Sequence, residues 1–596
     1  MRVRAFFLTA FLLFPLCGWA QEPENNAVPE VTIDPGGVGP AAIRAIYGAV
    51  NSITRLAEDQ DLEEVSRLRR RAYDATVSAL ETQGYFDSVV TLEIGQDYKG
   101  ETWDIVIQPG KRTVVQSVKI DFSGQITQPE FDQRVELLRQ DWPLKPGDVF
   151  LNSEWSNAKS NLLQEVRSKD FYYARYRHTR AVVMADQDTA DLNLAINSGP
   201  RVRLGPLFIS GLKRVPESLV KRYVTYQPGE PYDQDKLDEW QQVLQSTDFF
   251  RGAFVTLEEQ EAQQQVREDG EVEMPVLVRV TEAPARRFTG SIGVDSDHGP
   301  RIEGLYRQNI VFGLPISSET GLGLDKNRQR FFSDVHFPPT VSGFKNSLGV
   351  LYDHEDVEGL EQTRLAAGAK TRYDFSGAGR IEYETHVSLM GVRDESKVSG
   401  ETKALRTTAL ELTGQLLRRN VNNKYDPREG SLYDLGLGVS YPLDNKGQTL
   451  YRAGLRAHYW FPVGEEDVFM LRGEVGKVWP KTDLLPMGFG YRAGGARSIR
   501  GYKYQSIGLR RGNAVVGAPA LAMLSAEYQH FFNPTYGMSV FVDVGDAAES
   551  FGDMSPYWGY GVGAAMRTPA GPFYIDLAYG QKTHDIRLHF SLGIAF

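Results

Sequence analysis

Two periods of hydrophobic and polar positions divide this chain. Up to about residue 284, apolar positions recur at helical spacing between short alternating strands. In the stretch 233–246, Leu237, Trp240 and Leu244 fall at i, i+3 and i+7, one stripe to lay on a sheet, and M-P-V-L-V-R-V-T (274–281) alternates valines with polar residues. From Arg287 strict alternation takes over. In R-F-T-G-S-I-G-V-D (287–295), Phe288, Ile292 and Val294 share one face, and Arg287, Thr289, Ser291 and Asp295 the other. In S-L-Y-D-L-G-L-G-V-S-Y (431–441), Tyr433, Leu435, Leu437, Val439 and Tyr441 face one way, with Asp434, Gly436, Gly438 and Ser440 behind them. An apolar face bracketed by aromatics over a small, polar face is what lipid outside and water inside demand of a spanning strand.

Sixteen such segments start near 287, 300, 317, 329, 344, 362, 379, 404, 430, 448, 467, 519, 538, 557, 572 and 586. An even number closes an antiparallel barrel with no lipid-exposed edge and both ends on one side. The last segment is the strongest: Ile586, Leu588, Phe590, Leu592, Ile594 and Phe596 form an unbroken apolar stripe that ends the chain on an aromatic.

The first half repeats. V-Q-S-V-K-I-D-F-S-G (115–124) parallels R-L-G-P-L-F-I-S-G (203–211), L-K-P-G-D-V-F (144–150) parallels Y-Q-P-G-E-P-Y (226–232), and aromatic pairs begin at Tyr85, Phe171 and Phe249. Three units of about 80 residues follow, each in the order strand, helix, helix, strand, strand. The aromatic pairs read as core packing after the second helix. Each three-stranded sheet keeps an open edge that could recruit an extended peptide. Glycine marks the boundary between the halves, with 17 before residue 285 and 41 after it.

Composition removes several classes of chemistry. Arg2 and Arg4, the apolar run 5–16 and the small residues Gly18 and Ala20 predict a secretory signal at 1–20, followed by a linker at 21–28. The run is too short for a membrane anchor. Cys17 is the single cysteine, so the mature chain would hold no disulfide, thiol nucleophile or cysteine metal cluster. A net charge of −11 argues against nucleic acid as a partner. The nine histidines are scattered singly, and phosphate-loop, H-E-x-x-H and G-x-S-x-G patterns are missing, so neither enzyme activity, cofactor nor metal is expected. D-H-E-D-V-E (353–358) reads as a solvated loop at a strand end, and Y-D-P-R-E-G (425–430) as the turn before strand nine.

The motif S-I-R-G-Y (498–502), inside G-G-A-R-S-I-R-G-Y-K-Y-Q-S-I-G, and F-V-D-V-G (541–545) resemble those of the bacterial outer-membrane assembly (BamA/TamA) superfamily. Its members join periplasmic POTRA domains to a sixteen-stranded barrel. The resemblance covers the expected mature chain: POTRA units at 29–110, 111–200 and 201–284, then a transmembrane β-barrel at 285–596. Three units and the extended string look most like the translocation and assembly branch, TamA. Insertase members typically carry five units, and two-partner secretion transporters two with a plug helix.

The resemblance implies that the long link at about 480–518, the sixth extracellular loop, folds back into the lumen, where its arginine meets acidic wall residues. Strand parity allows this independently: Glu527 in L-S-A-E-Y-Q and Asp543 in V-F-V-D-V-G point inward, available to Arg500 within the motif Ser498, Ile499, Arg500, Gly501 and Tyr502. Glu527 and Asp543 could instead line a wet pore, Gly501 could only permit a turn, and Tyr502 only pack. Arg497 and Lys503 read as solvated. The family also implies a weak seam between the first and last strands, where Gly290, Gly293, Ser591 and Gly593 lie, and a terminal-strand signal at Phe590, Leu592, Ile594 and Phe596. The implied partners are a TamB-like periplasm-spanning protein on the first POTRA unit, unfolded outer-membrane client proteins including autotransporters, and outer-membrane lipid. The rival reading is a passive pore or secretion channel for a dedicated substrate.

Overall fold

The computed structural model describes residues 28–596 apart from 59, 61, 98–99, 261–264, 445–446, 465, 481, 483, 569–570 and 596. The expected signal at 1–20, nearly all of the linker, and Phe596 of the terminal signal lie outside the described residues.

Three small α+β units come first. The first runs Glu30–Asp34, Pro40–Thr54, Leu62–Thr82, Val89–Asp97 and Gly100–Gln108. The second runs Val114–Ser123, Asp132–Gln140, Asn152–Ser168, Arg175–Met184 and Thr189–Asn197. The third runs Val202–Ser210, Glu217–Tyr223, Gln234–Gln245, Phe250–Leu257 and Val272–Glu282. In each, the last strand lies at the centre of the sheet with two strands flanking it, and in the third the short strand Gln265–Val266 also pairs with the last strand. Helical stripes cover one sheet face, with Ile46, Val50 and Leu80 buried beside Trp103 and Ile105 in the first unit, and Leu237, Trp240 and Leu244 buried in the third. Tyr85, Phe171 and Phe249 are all buried, and Phe171 meets Phe131 edge-on at 4.9 Å. They are core residues.

The chain forms two compact bodies, one holding the first two units and part of the third, the other holding the rest of the third unit and the barrel. In the second body Tyr223 donates its hydroxyl to the Pro339 carbonyl at 2.7 Å, and Asn309 Nδ2 donates to the Asp248 carbonyl at 2.8 Å. Pro339 lies in the connection from strand 4 to strand 5 and Asn309 near the end of strand 2, which marks that mouth as the one facing this part of the third unit.

The barrel has sixteen antiparallel strands, closed by pairing of the first with the last. Strands 1 to 8 are Arg286–Asp295, Gly299–Val311, Leu314–Leu324, Arg328–His336, Lys345–Val357, Leu360–Ser376, Glu382–Val398 and Leu405–Val421. Strands 9 to 16 are Gly430–Pro442, Leu450–Val463, Asp467–Trp479, Ala520–Phe531, Tyr536–Ala548, Tyr557–Thr568, Gly571–Gly580 and Asp585–Ala595. Every start falls within three residues of the position read from alternation. The outer faces stay apolar and exposed: Phe288 is 73% exposed and Leu437 54%, whereas Ser440 on the inner face of strand 9 is buried at 3%. Such a belt would aggregate in water and suits hydrocarbon. Among the described residues no helix is long and apolar enough to cross a membrane, so the strands alone can span it.

One expectation is overturned. Residues 353–357 of D-H-E-D-V-E continue strand 5 rather than forming a solvated loop, and Asp353 and Glu355 are buried on its inner face. The cause is cationic partners supplied from elsewhere: Arg328 of strand 4 forks onto Asp353, and Arg492 of the long loop holds Glu355 at 3.0 Å.

Candidate functional site: the loop-filled lumen and the seam

The connection between strands 11 and 12 builds its own scaffold inside the barrel. Tyr491 and Ala518 exchange backbone hydrogen bonds at 2.9 and 2.8 Å, as do Ala493 and Ile507 at 2.8 and 2.9 Å, and Leu509–Arg511 pairs with Ala514–Val516. Leu485, Phe489, Tyr491, Ile499, Tyr502 and Ile507 cluster against Val478, Leu521 and Ala547 of the wall. An apolar loop face of this size has to be covered, and the wall leaves room for it: a Cβ at Gly476 would sit 2.3 Å from the Tyr491 ring.

Arg500 is the centre of the site. Its Nε and Nη2 donate to the two oxygens of Asp543 at 2.8 and 3.0 Å, a bidentate fork. Its Nη1 donates to Glu527 at 2.8 Å and to Asp576 at 3.1 Å, and its backbone N–H donates to Asp543 at 3.0 Å. The guanidinium lies 3.3 Å from the Phe541 ring centroid. Ser525 and Gln529 complete the shell, donating to Asp543 at 2.6 Å and Glu527 at 2.8 Å. Arg500, Glu527 and Asp543 are 4%, 5% and 0% exposed. Charges this dry are tolerated only when paired and hydrogen-bonded. Arg472 of strand 11 adds a second cation, with Nη2 3.9 Å from Asp543 and donating to the Ser498 carbonyl at 3.0 Å.

The neighbouring motif residues tie the loop to the strands around it. Gly501 N–H donates to Nε2 of His589 on strand 16 at 3.0 Å. Tyr502 donates its hydroxyl to the Trp558 carbonyl at 2.9 Å, accepts from Lys582 N–H at 3.0 Å, and meets Tyr557 edge-on. Ala496 N–H donates to Asp297, in the turn after strand 1, at 2.9 Å. Gly501 has φ +91°, and a Cβ there would lie 2.7 Å from the Gly580 nitrogen and 2.8 Å from the Tyr579 carbonyl carbon. Backbone cannot yield as a side-chain end can, so Gly501→Ala is expected to cost about 1–3 kcal/mol. A lowered midpoint for the heat-dependent gel-mobility shift of the purified barrel checks it, and an unchanged midpoint would refute the steric account.

The structure thus brings Arg500 together with both acids expected from parity. It adds four groups not read from the sequence: Asp576, Phe541, Arg472 and His589. Asp576 lies between outward Ile575 and Leu577, so the parity rule that found Glu527 and Asp543 reaches it too; Phe541 precedes Asp543 by two on the same face. The Arg492–Glu355 pair has no sequence signal, because it depends on the path of the loop. Arg497 and Lys503 are exposed. Among the described residues no cluster of His, Cys, Asp and Glu could hold a metal ion.

At the seam, among the described residues, strand 1 pairs with strand 16 over 291–295 and 591–595, five positions, against ten between strands 1 and 2 and seventeen between strands 6 and 7. Gly293 faces Gly593, and Asp295 faces Ser591. On the other side of strand 1 Gly290 pairs with Gly304 of strand 2, and the seam register would set it opposite Phe596, outside the described residues. On strand 16 Ile586 and Leu588 are exposed and His589 is buried. Phe590 pairs with Ile575, and Leu592 and Ile594 oppose Val294 and Ile292.

Comparison with known proteins follows the same outline. The chain is 20% identical over 459 residues to the outer membrane protein assembly factor BamA of Neisseria meningitidis serogroup B, covering 72% of this chain and 55% of that protein. It is 20% identical over 548 residues to the BamA of Nitratidesulfovibrio vulgaris, covering 86% and 66%. The chain therefore spans about half to two thirds of the length of these relatives. The crystal structure of BamA from Haemophilus ducreyi lacking POTRA domains 1–3 superposes with a TM-score of 0.65 at 16% identity, covering 81% of this chain and all of that one, a likeness of fold. Residues 316–596, from within strand 3 to the end of the chain, match the Omp85 superfamily domain.

Proposed function

We propose that this protein is an outer-membrane assembly and translocation factor that inserts or secretes β-barrel proteins and autotransporters through the seam between strands 1 and 16, without catalysing a reaction or using a cofactor. The observation that carries the reading is the seam itself. Among the described residues it is joined by half the pairs of its neighbour, and it holds a glycine opposite a glycine, so it is the interface that costs least to part. A parted seam exposes two strand edges in lipid, and an unfolded client strand can satisfy them by pairing. Likeness to BamA relatives supports placement in the outer membrane with the three N-terminal units as periplasmic POTRA domains at 29–110, 111–200 and 201–284. Three units and the G-G-A-R-S-I-R-G-Y string favour the TamA branch, with a TamB-like partner on the first unit. A lumen packed by the loop and its ion cluster favours this reading over a steadily open pore.

The test uses the full chain in liposomes with an unfolded outer-membrane β-barrel protein added from urea. Client folding, read as protease protection and heat-modifiable mobility, should run several-fold faster than in empty liposomes. Equal rates together with a steady conductance in planar bilayers would replace the proposal with the passive channel.

A further inference from the structure

We infer that the outer wall of strands 5 to 8 carries a binding site for a phosphorylated membrane lipid of the lipid A type, with Arg393 holding a phosphate and the dent beneath it an acyl chain.

Outward residues on these strands fall in rows fixed by the register. One row reads Tyr352, Leu365, Arg393, Thr408, and the next, nearer the membrane centre, Val350, Ala367, Gly391, Leu410. Below it Val387, Leu389 and Leu412 stand exposed as hydrocarbon-facing positions. Above it come Glu395 with Arg406, at 2.9 Å, and Lys397 with Glu361, at 3.5 Å. Arg393 therefore sits at the upper boundary of the apolar belt, where bilayer phosphates lie.

Arg393 is exposed and makes no ion pair within 4 Å and no hydrogen bond with the described residues; Glu395, one row further out and within its electrostatic reach, is forked by Arg406, and Lys397 pairs with Glu361 one row beyond that. An outward cation at this depth is costly until an anion meets it, and a phosphate oxygen pair fits the guanidinium fork. Directly below, the small residues Ala367 and Gly391 leave a depression of about 500 Å³ on the lipid-facing wall, lined also by Phe331, Val350, Tyr352, Leu365 and Arg393 itself. A cation with no hydrogen-bonded anion, set above an apolar dent, matches the two parts of a phosphorylated lipid. Strand 7 runs in the direction of strand 1, from the mouth that meets the third unit to the far rim, and Arg393 lies in its far half. The choice of lipid A, the outer-leaflet lipid, rests on the outer-membrane reading above; the site itself does not.

The full chain, delipidated in non-ionic detergent and titrated with bisphosphorylated lipid A by native mass spectrometry, tests the site independently of client folding. Arg393→Gln is expected to weaken lipid A binding at least fivefold, and Arg393→Lys less. The added Cβ of Gly391→Leu meets nothing closer than the Ala367 carbonyl at 3.8 Å, so that variant fills the dent without disturbing the strand and should weaken both lipid A and its dephosphorylated form. Heat-modifiable mobility confirms that each variant is folded. Unchanged lipid A binding by Arg393→Gln, equal binding of the dephosphorylated lipid by the wild type, or full competition by inorganic phosphate would each overturn the inference. Client assembly that fails while lipid binding persists would instead count against the assembly reading alone.

Discussion

Arg500→Ala is expected to unseat the loop and reduce client assembly tenfold or more. Removing this one side chain leaves Asp543, Glu527 and Asp576 facing each other in a dry pocket, with Arg472 at 3.9 Å as the remaining cation. Breaking a buried pair in this way costs about 3–5 kcal/mol, most of it the penalty of the stranded carboxylates. Arg500→Lys should recover only part of the loss, because one ammonium cannot fork onto Asp543 while reaching Glu527 and Asp576. Adding Asp543→Asn to Arg500→Ala should cost less than the two single changes summed, since the charge that one strands the other removes. The measurements are the midpoint of the heat-dependent mobility shift, protease cleavage within 480–518, and client folding in liposomes. Wild-type values in all three would mean that the ion cluster is incidental to the seat of the loop.

The barrel was legible because lipid enforces period two on every strand, and each start could be placed within three residues. The three α+β units were legible because their strand-end glycines and aromatic pairs recur. The cluster was legible in part for the same reason as the barrel. Parity points Glu527 and Asp543 inward, and a resemblance in S-I-R-G-Y supplied the cation; Asp576 obeys the same parity between Ile575 and Leu577. What alternation cannot encode is the path of a loop through the lumen. Asp353 and Glu355 read as solvated because nothing near them in sequence pairs with them, yet Arg328 and Arg492 do so in space. The seam register is hidden for a related reason: glycines mark strands 1 and 16 as weak, but only the pairing shows that Gly293 stands opposite Gly593.

The loop and the seam are physically joined. Ala496 N–H is held by Asp297 just beyond strand 1, and Gly501 N–H by His589 on strand 16, so one loop contacts both sides of the closure. A seated loop therefore favours the paired seam, and parting the strands must disturb at least one of these contacts. Loss of the Arg500 cluster and locking of the seam then have opposite structural effects, the first loosening the closure and the second fixing it, while both are expected to stop assembly.

Locking is the second large effect. Ile292 and Ile594 are direct partners across the seam, and directly opposed antiparallel positions lie about 4.5–5.5 Å apart at Cα, within disulfide range. The chain's single cysteine, Cys17, falls in the expected signal, so Ile292→Cys with Ile594→Cys should be the only thiol pair in the mature protein. Oxidation is expected to reduce client folding tenfold or more, with recovery on adding a reductant. Phe288→Cys with Tyr306→Cys, opposed between strands 1 and 2, supplies the control: it links neighbours that need not part and should leave assembly near wild type. The mechanism is that a covalent bridge removes the free strand edges on which a client pairs. Full client folding with the Ile292–Ile594 bridge formed would sink the lateral route. Clients would then have to pass through the lumen, and the loop rather than the seam would be the element that moves.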